Sequence, residues 1–403
     1  MRLPNFLLPA AVIPTLSYLK KEEEDGTKKS RRMIYHHMVK YGIPGMSVTV
    51  TKDGKTIFSK GFGYANVETN TPCTKDSVFR IASISKSITA IIAGKLLDEK
   101  KLDLDKNIYD YIKDFPEKTY EGQKVTITSR HLLTHMSGKS DIEKEKNENK
   151  SIEEAEFLLN KPFKNVSHAL ELFKDDELLS KPGEKFNYTT HGFTLLSRVI
   201  EGISGKQFPD LVNKLFNELG MNSSYIDNNT LLIKNRVQFY RRNKNHELEN
   251  CPEVDNSYKI AGGGMLSTSE DLTKFGNALL TSFQDYSDGE SGGVISKNTI
   301  NKIWKPHVKT HEKIVPFFYC LGWSHVPFKR YYHSPDCFYK SGYWYHTGAA
   351  VGCSSVLLVK PSNSNSDINN EHPKGICVAI LTNVQECYNG ITDLALDIAE
   401  AFS

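Results

Sequence analysis

The chain has little of what marks several large protein classes. Its 403 residues carry a net charge of only +3 and no basic stripe, which argues against a nucleic-acid partner. After residue 19 no apolar run is long enough to span a bilayer, so the body reads as soluble. The seven cysteines are odd in number and form no C-x-x-C pair, so a mostly reduced set is expected rather than a disulfide framework. Cys353 and Cys377 lie in apolar runs and read as small core residues. No internal repeat recurs at a fixed period.

Motifs for other chemistries are incomplete. His131 and His135 have the spacing of zinc ligands on one helix face, but no glutamate follows His131, and packed or capping histidines are expected. Gly54-Lys55-Thr56 lacks the upstream glycine of a phosphate loop, because Thr49 holds that place. Gly289-Glu290-Ser291-Gly292-Gly293 matches G-x-S-x-G, yet Asp285 to Asp288 before it is no apolar strand, and the segment reads as a flexible loop.

What is present is ordinary globular material, 39% hydrophobic and 25% charged, enough for one large two-lobed catalytic unit. Residues 1–32 read as a hydrophobic leader, Phe6 to Leu19, and a charged linker, Lys20 to Arg32. The leader fits a secretory signal, an organelle-targeting segment, a weak anchor or a poorly ordered tail. Membrane association is expected only through this segment, if it is retained. Residues 33–403 read as the catalytic domain, with a polar surface insertion at 139–176.

Periodicity places the elements. Ile34 to Tyr41 ends a helix at Gly42 and Pro44. Met46 to Thr51 and Thr56 to Lys60 form a hairpin around Asp53-Gly54. A helix follows Ser83, with Ile84, Ile88, Ile91 and Ile92 at face spacing. Phe193 to Leu219 is helical with a break at Gly202 to Gly205, and Ala261 to Gly264 is a tight, flexible corner before a helix start at Ser267 to Asp271. Ser354 to Val359 and Gly375 to Leu381 are buried strands, and Ile391 to Phe402 is a helix. The expected class is α/β (α+β): an antiparallel sheet flanked by helices plus a mainly helical lobe, with a cleft between them.

Three phrases carry chemistry. Ser83-Ile84-Ser85-Lys86 opens a helix, so the hydroxyl and the amine share a face, near backbone N–H groups suited to an oxyanion. Tyr188, in Pro182-Gly183-Glu184-Lys185-Phe186-Asn187-Tyr188-Thr189-Thr190, sits between a turn and a helix. His346-Thr347-Gly348-Ala349 precedes a strand, as a small-residue edge a substrate could approach.

S-x-x-K, then Y-x-T, then H-T-G, in that order, resembles the triple of the serine β-lactamase and penicillin-binding protein family. Leu132-Leu133-Thr134-His135-Met136-Ser137-Gly138 and Ala261-Gly262-Gly263-Gly264-Met265-Leu266-Ser267-Thr268 add to the resemblance, which covers residues 33–403 and its class C-type branch. Ile81 to Ser87, Phe115 to Gly122 and Asp255 to Lys259 resemble an animal mitochondrial group within it.

The resemblance implies a β-lactamase/transpeptidase-like fold and a serine hydrolase acting through an acyl-enzyme, with no metal or organic cofactor needed. Ser83 is implied as nucleophile, Lys86 as its base and Tyr188 as acid and base. The N–H groups of Ser83 and Ala349 would form the oxyanion hole, with His346, Thr347, Gly348 and Thr190 lining the substrate. Thr190 stands where many relatives have asparagine, and His346 where antibiotic-hydrolysing relatives have lysine. The implied substrate is therefore a peptide or ester rather than a β-lactam. The resemblance further implies a mitochondrial location, with secretion as the alternative, a link to lipid metabolism, and self-assembly into filaments, so that a filament-forming structural protein with weak or no catalysis is the alternative function. Of the sequons Asn149, Asn165, Asn187, Asn222 and Asn228, Asn187 abuts Tyr188, where a glycan would block the cleft, which disfavours secretion.

Overall fold

The structure, a computed structural model, describes residues 25–138, 158–284, 292–311, 317–327, 342–362, 373–387 and 389–403. The leader, residues 139–157 of the expected insertion, and most of the G-x-S-x-G segment lie outside them.

The chain opens with α1 (Gly26–Tyr41), whose start is capped by Asp25 accepting from the Thr27 N–H and whose end is Gly42 in the left-handed conformation. The charged segment expected as linker up to Arg32 is thus helical from Gly26, with Ser30 and Ile34 already buried against the body. The sheet then begins with β1 (Gly45–Lys52), β2 (Lys55–Asn66) and β3 (Thr71–Pro72). β4 (Phe79–Arg80) leads into α2 (Ile84–Asp98), followed by β5 (Thr119–Tyr120), β6 (Gln123–Lys124) and α3 (Ser129–Leu133).

The middle of the chain supplies α4 (Val166–Leu170), α5 (Thr190–Ser204) and α6 (Phe208–Glu218). Next come β7 (Tyr225–Ile226), β8 (Tyr240–Arg242), β9 (Leu248–Asn250), α7 (Ile260–Gly263), β10 (Met265–Ser267) and α8 (Ser269–Gln284). The last part holds α9 (Lys297–Trp304), β11 (Val308–His311), β12 (Phe317–Tyr319), β13 (Ser324–Val326), β14 (Tyr343–Ala350), β15 (Cys353–Pro361), β16 (Gly375–Thr382) and α10 (Ile391–Ala401).

The main sheet is antiparallel, in the order β11-β12-β13-β14-β15-β16-β1-β2-β3. The two ends of the sequence meet at its centre, where β1 pairs with β16 from Met46–Thr382 to Lys52–Ile376. Both faces of the central strands are covered, and alternate residues serve different cores. Val356, Leu358, Val378 and Ile380 face α1 and α10 with Ile34, Met38, Leu394 and Ile398. Leu357, Val359, Cys377 and Ala379 face α8 with Leu272, Phe275 and Leu279. The hydroxyls of β1 on that second face are also satisfied: Ser47 and Thr49 contact Ser269 Oγ at 2.8 and 2.7 Å. Cys353 and Cys377 are core residues, and all six described cysteines are free.

Two expectations need correction. Residues 158–176 are not surface throughout: Lys161, Lys164 and Glu171 are exposed, but Phe163, Val166, Ala169, Leu170 and Phe173 are buried, because the short apolar run has one face for α5 and for Tyr258. The glycine run at Ala261 to Gly264 is not a flexible corner but contains the one-turn α7, with Ala261, Gly262 and Gly263 buried. The break between α5 and α6 falls at Gly205 in the left-handed conformation, as the sequence suggested. Helix α2 is buried on all sides rather than along one stripe, as an apolar helix through a core should be. It runs between the sheet and the helical lobe, and its first turn opens into the cleft.

Candidate active site

Ser83 is the N-cap of α2. The chain reaches it through Ala82, whose φ of +45° is unusual for a residue with a side chain. Two things hold that turn in place. β4 pairs with β10 at Arg80–Leu266 and Phe79–Ser267. The buried Arg80 guanidinium donates to Asp227 Oδ2 at 2.8 Å and to the Val351 carbonyl at 2.9 Å, and lies 4.1 Å from the centre of the Phe239 ring. One side chain thus ties the strand before Ser83 to the end of β14.

Lys86 is fully buried one turn along α2. Its Nζ lies 3.0 Å from Ser83 Oγ and 2.7 Å from the Gly262 carbonyl oxygen. Gly262 is itself packed closely on the start of α5: a Cβ there would stand 2.7 Å from Thr190 Cγ2. Thr190 itself is buried at the start of α5, which Thr189 caps by accepting from the Gly192 N–H at 3.2 Å.

Tyr188 precedes that cap and is 41% exposed, the one aromatic of the site open to solvent to such a degree. Lys86 Nζ is 4.7 Å from the centre of its ring. The loop is fastened to His135 in three ways. The Asn187 N–H donates to the His135 carbonyl at 2.8 Å, the Thr189 N–H donates to His135 Nδ1 at 3.1 Å, and the Tyr188 and His135 rings lie 4.2 Å apart.

Strand β14 forms the far wall. His346 to Ala350 lie in the strand itself rather than before it. β13 pairs only with Tyr343 to Tyr345, so from His346 onward β14 pairs with β15 alone among the described residues. Gly348 presses on the nucleophile's turn: a Cβ there would stand 2.3 Å from the Ile81 carbonyl oxygen, which the Ser355 hydroxyl already reaches at 3.0 Å. Thr347 is half-buried and Ala349 exposed, on the open side of the strand.

His346 is buried. Its Nε2 lies 3.0 Å from Tyr319 Oη, and its Nδ1 lies 2.7 Å from the Thr347 carbonyl. Burial, and after it the proximity of Lys86, pushes its pKa down to about 3. The same two causes, and then His346, hold His135 well below the ordinary value, while burial drives Tyr319 well above its own.

The fold therefore brings Ser83, Lys86, Tyr188, Thr190, His346, Thr347, Gly348 and Ala349 to one cleft. His135 is the packed histidine expected, its buried ring lying against Phe186, Tyr188, Phe193 and Tyr319; sequence reasoning did not single out Tyr319, which carried no signal. His131 takes part in the capping expected: its Nδ1 accepts from the Thr128 N–H at 3.3 Å, while its own N–H donates to Thr128 Oγ1, the N-cap of α3, at 3.2 Å. Among the described residues no cluster of three or more His, Cys, Asp or Glu is placed to hold a metal ion, and no helix is long and apolar enough to cross a membrane.

Comparison with known proteins bears on the family and the fold. The family model described as beta-lactamase matches residues 30–399. The serine beta-lactamase-like protein LACTB, mitochondrial, of Mus musculus is 37% identical over 93% of this chain and 80% of its own length, and the Homo sapiens protein is 37% identical over 93% and 79%. Among solved structures, an octameric penicillin-binding protein homologue from Pyrococcus abyssi is 28% identical with a TM-score of 0.73, covering 93% of this chain and 77% of that one. A class C beta-lactamase, 20% identical with a TM-score of 0.70 over 94% and 96%, shares the fold.

Proposed function

The chain belongs to the beta-lactamase family, and on that premise we propose that it is a serine hydrolase that cleaves peptides or esters through an acyl-enzyme on Ser83. The observation that carries this reading is the fully buried Lys86, its Nζ 3.0 Å from Ser83 Oγ. In its neutral amine form Lys86 takes the hydroxyl proton as Oγ attacks the substrate carbonyl. The N–H groups of Ser83 and Ala349 stabilise the developing oxyanion. Tyr188 passes a proton to the leaving amine or alcohol, and in the second half of the cycle removes one from the water that releases the acyl group.

The substrate class follows from His346. A neutral imidazole with both nitrogens engaged supplies no fixed cation where a β-lactam carboxylate would sit. A peptide or ester without such an anion suits the wall better. A panel of penicillins, short peptides and carboxylic esters tests this: turnover of peptides or esters above penicillins is expected. Rapid penicillin hydrolysis with no peptide or ester turnover would overturn it.

The mitochondrial relatives support the same compartment for this chain, and the sequon at Asn187 beside Tyr188 argues against a glycosylating route. Self-assembly is a second reading, supported by the octameric archaeal relative. Particles of higher order in light scattering, kept in Ser83→Ala, are its expected sign, and a monomer at all concentrations would refute it.

A further inference from the structure

Tyr319 Oη stands midway between two buried imidazoles, 3.0 Å from His135 Nε2 and 3.0 Å from His346 Nε2. The direction of these bonds is fixed independently from both ends. At one end the Thr189 N–H donates to His135 Nδ1, so that nitrogen is an acceptor and the proton of the neutral ring lies on Nε2. At the other end the Thr347 carbonyl only accepts, so His346 carries its proton on Nδ1 and accepts at Nε2. Both conditions give the same chain: His135 Nε2–H donates to Tyr319, and the Tyr319 hydroxyl donates to His346. Every polar atom along it is satisfied in one arrangement of protons and no other.

The two ends of the chain are functional parts. His135 is the residue to which the Tyr188 loop is fastened, and its own backbone has a φ of +59°. His346 begins the stretch of β14 that β13 leaves open. The contacts lie far apart in sequence, 184 residues between His135 and Tyr319, so nothing local could hold these parts in register.

We propose that His135 and Tyr319 are positioning residues which lock the Tyr188 loop to the substrate wall of β14 through this one-directional hydrogen-bond chain. The inference rests on the acyl-enzyme reading for its functional consequence, and on the proton arrangement alone for its structure. Removing the Tyr319 hydroxyl leaves two buried imidazole nitrogens without their partner, freeing both parts at once.

The test combines Tyr319→Phe with two readouts. The first is the rate at which folded protein, verified by circular dichroism, is labelled at Ser83 by a fluorophosphonate. The second is imidazole nitrogen NMR of the parent between about pH 6 and 8. Expected are labelling slowed about 10- to 100-fold in the variant, and neutral parent rings with the proton on Nε2 of His135 and on Nδ1 of His346. A merely structural tyrosine would lower the unfolding midpoint and leave the labelling rate of the folded protein unchanged, which would overturn the proposal, as would the opposite tautomers. A parent that takes no label would instead refute the acyl-enzyme reading, and the NMR readout would then decide the hydrogen-bond chain by itself.

Discussion

Lys86 reaches Ser83 across a single turn of α2, its Nζ 3.0 Å from Oγ and 2.7 Å from the Gly262 carbonyl oxygen. The helix supplies the spacing, and the Gly262 carbonyl, accepting from the amine, holds it in place. Lys86→Met keeps most of the side-chain volume and removes the base. The variant should still fold, because an apolar chain of similar volume takes the place of the amine, with a loss of about 1–3 kcal/mol at most for the Gly262 carbonyl left without this donor. Labelling of Ser83 by a fluorophosphonate should fall by about 10³-fold. A variant labelled at the parental rate would remove Lys86 from the mechanism.

His346→Lys tests the directed hydrogen-bond chain by stability. A lysine has only donors, so it would donate to Tyr319 Oη. The Tyr319 hydrogen would then lack an acceptor, because His135 Nε2 already carries a proton set by Thr189. One buried donor without a partner costs about 1–3 kcal/mol. Urea unfolding should register that loss, and a variant as stable as the parent would contradict the assigned direction.

Acid should unfold the protein earlier than its carboxylates alone require. Burial pushes His37 and His325 down to about 4 and His346 to about 3. Each therefore gains its proton in the unfolded chain, near pH 6.5, before it does in the folded one. Stability is fully present above that pH and is lost as pH falls from about 6.5 toward the folded values. The slope approaches about 1.4 kcal/mol per pH unit for a buried histidine such as His346, and less for the more solvent-screened ones. Urea midpoints taken between about pH 7.5 and 5, a window above most carboxylates, should fall steadily; constant midpoints there would contradict the neutral buried rings.

The parts of this structure that were legible in the sequence are local. The hairpin at Asp53-Gly54, the helix after Ser83 and the strands at 354–359 and 375–381 announce themselves by turn residues and periodicity. Ser83 and Lys86 were legible because helical spacing alone brings them together. Tyr188 and the His346 to Ala349 strand came from the family resemblance, not from any pattern that linked them to Ser83.

What escaped was of longer range or weaker pattern. Residues 158–176 carry too few apolar side chains to look buried, yet Phe173 stacks on His191 at 4.4 Å and fills a gap in the helical lobe. The first turns of α1 are strongly polar, so only the Asp25 cap and packing beneath it reveal the helix. Tyr319 lies in an ordinary aromatic run, and its role exists only where three distant segments converge.

The central claim is that Ser83 is an activated nucleophile. Purified protein treated with a fluorophosphonate and weighed by intact mass spectrometry, beside Ser83→Ala, tests it most directly. One adduct on the parent and none on the variant is the predicted result. A folded parent that takes no adduct, or a Ser83→Ala variant labelled like the parent, would contradict it.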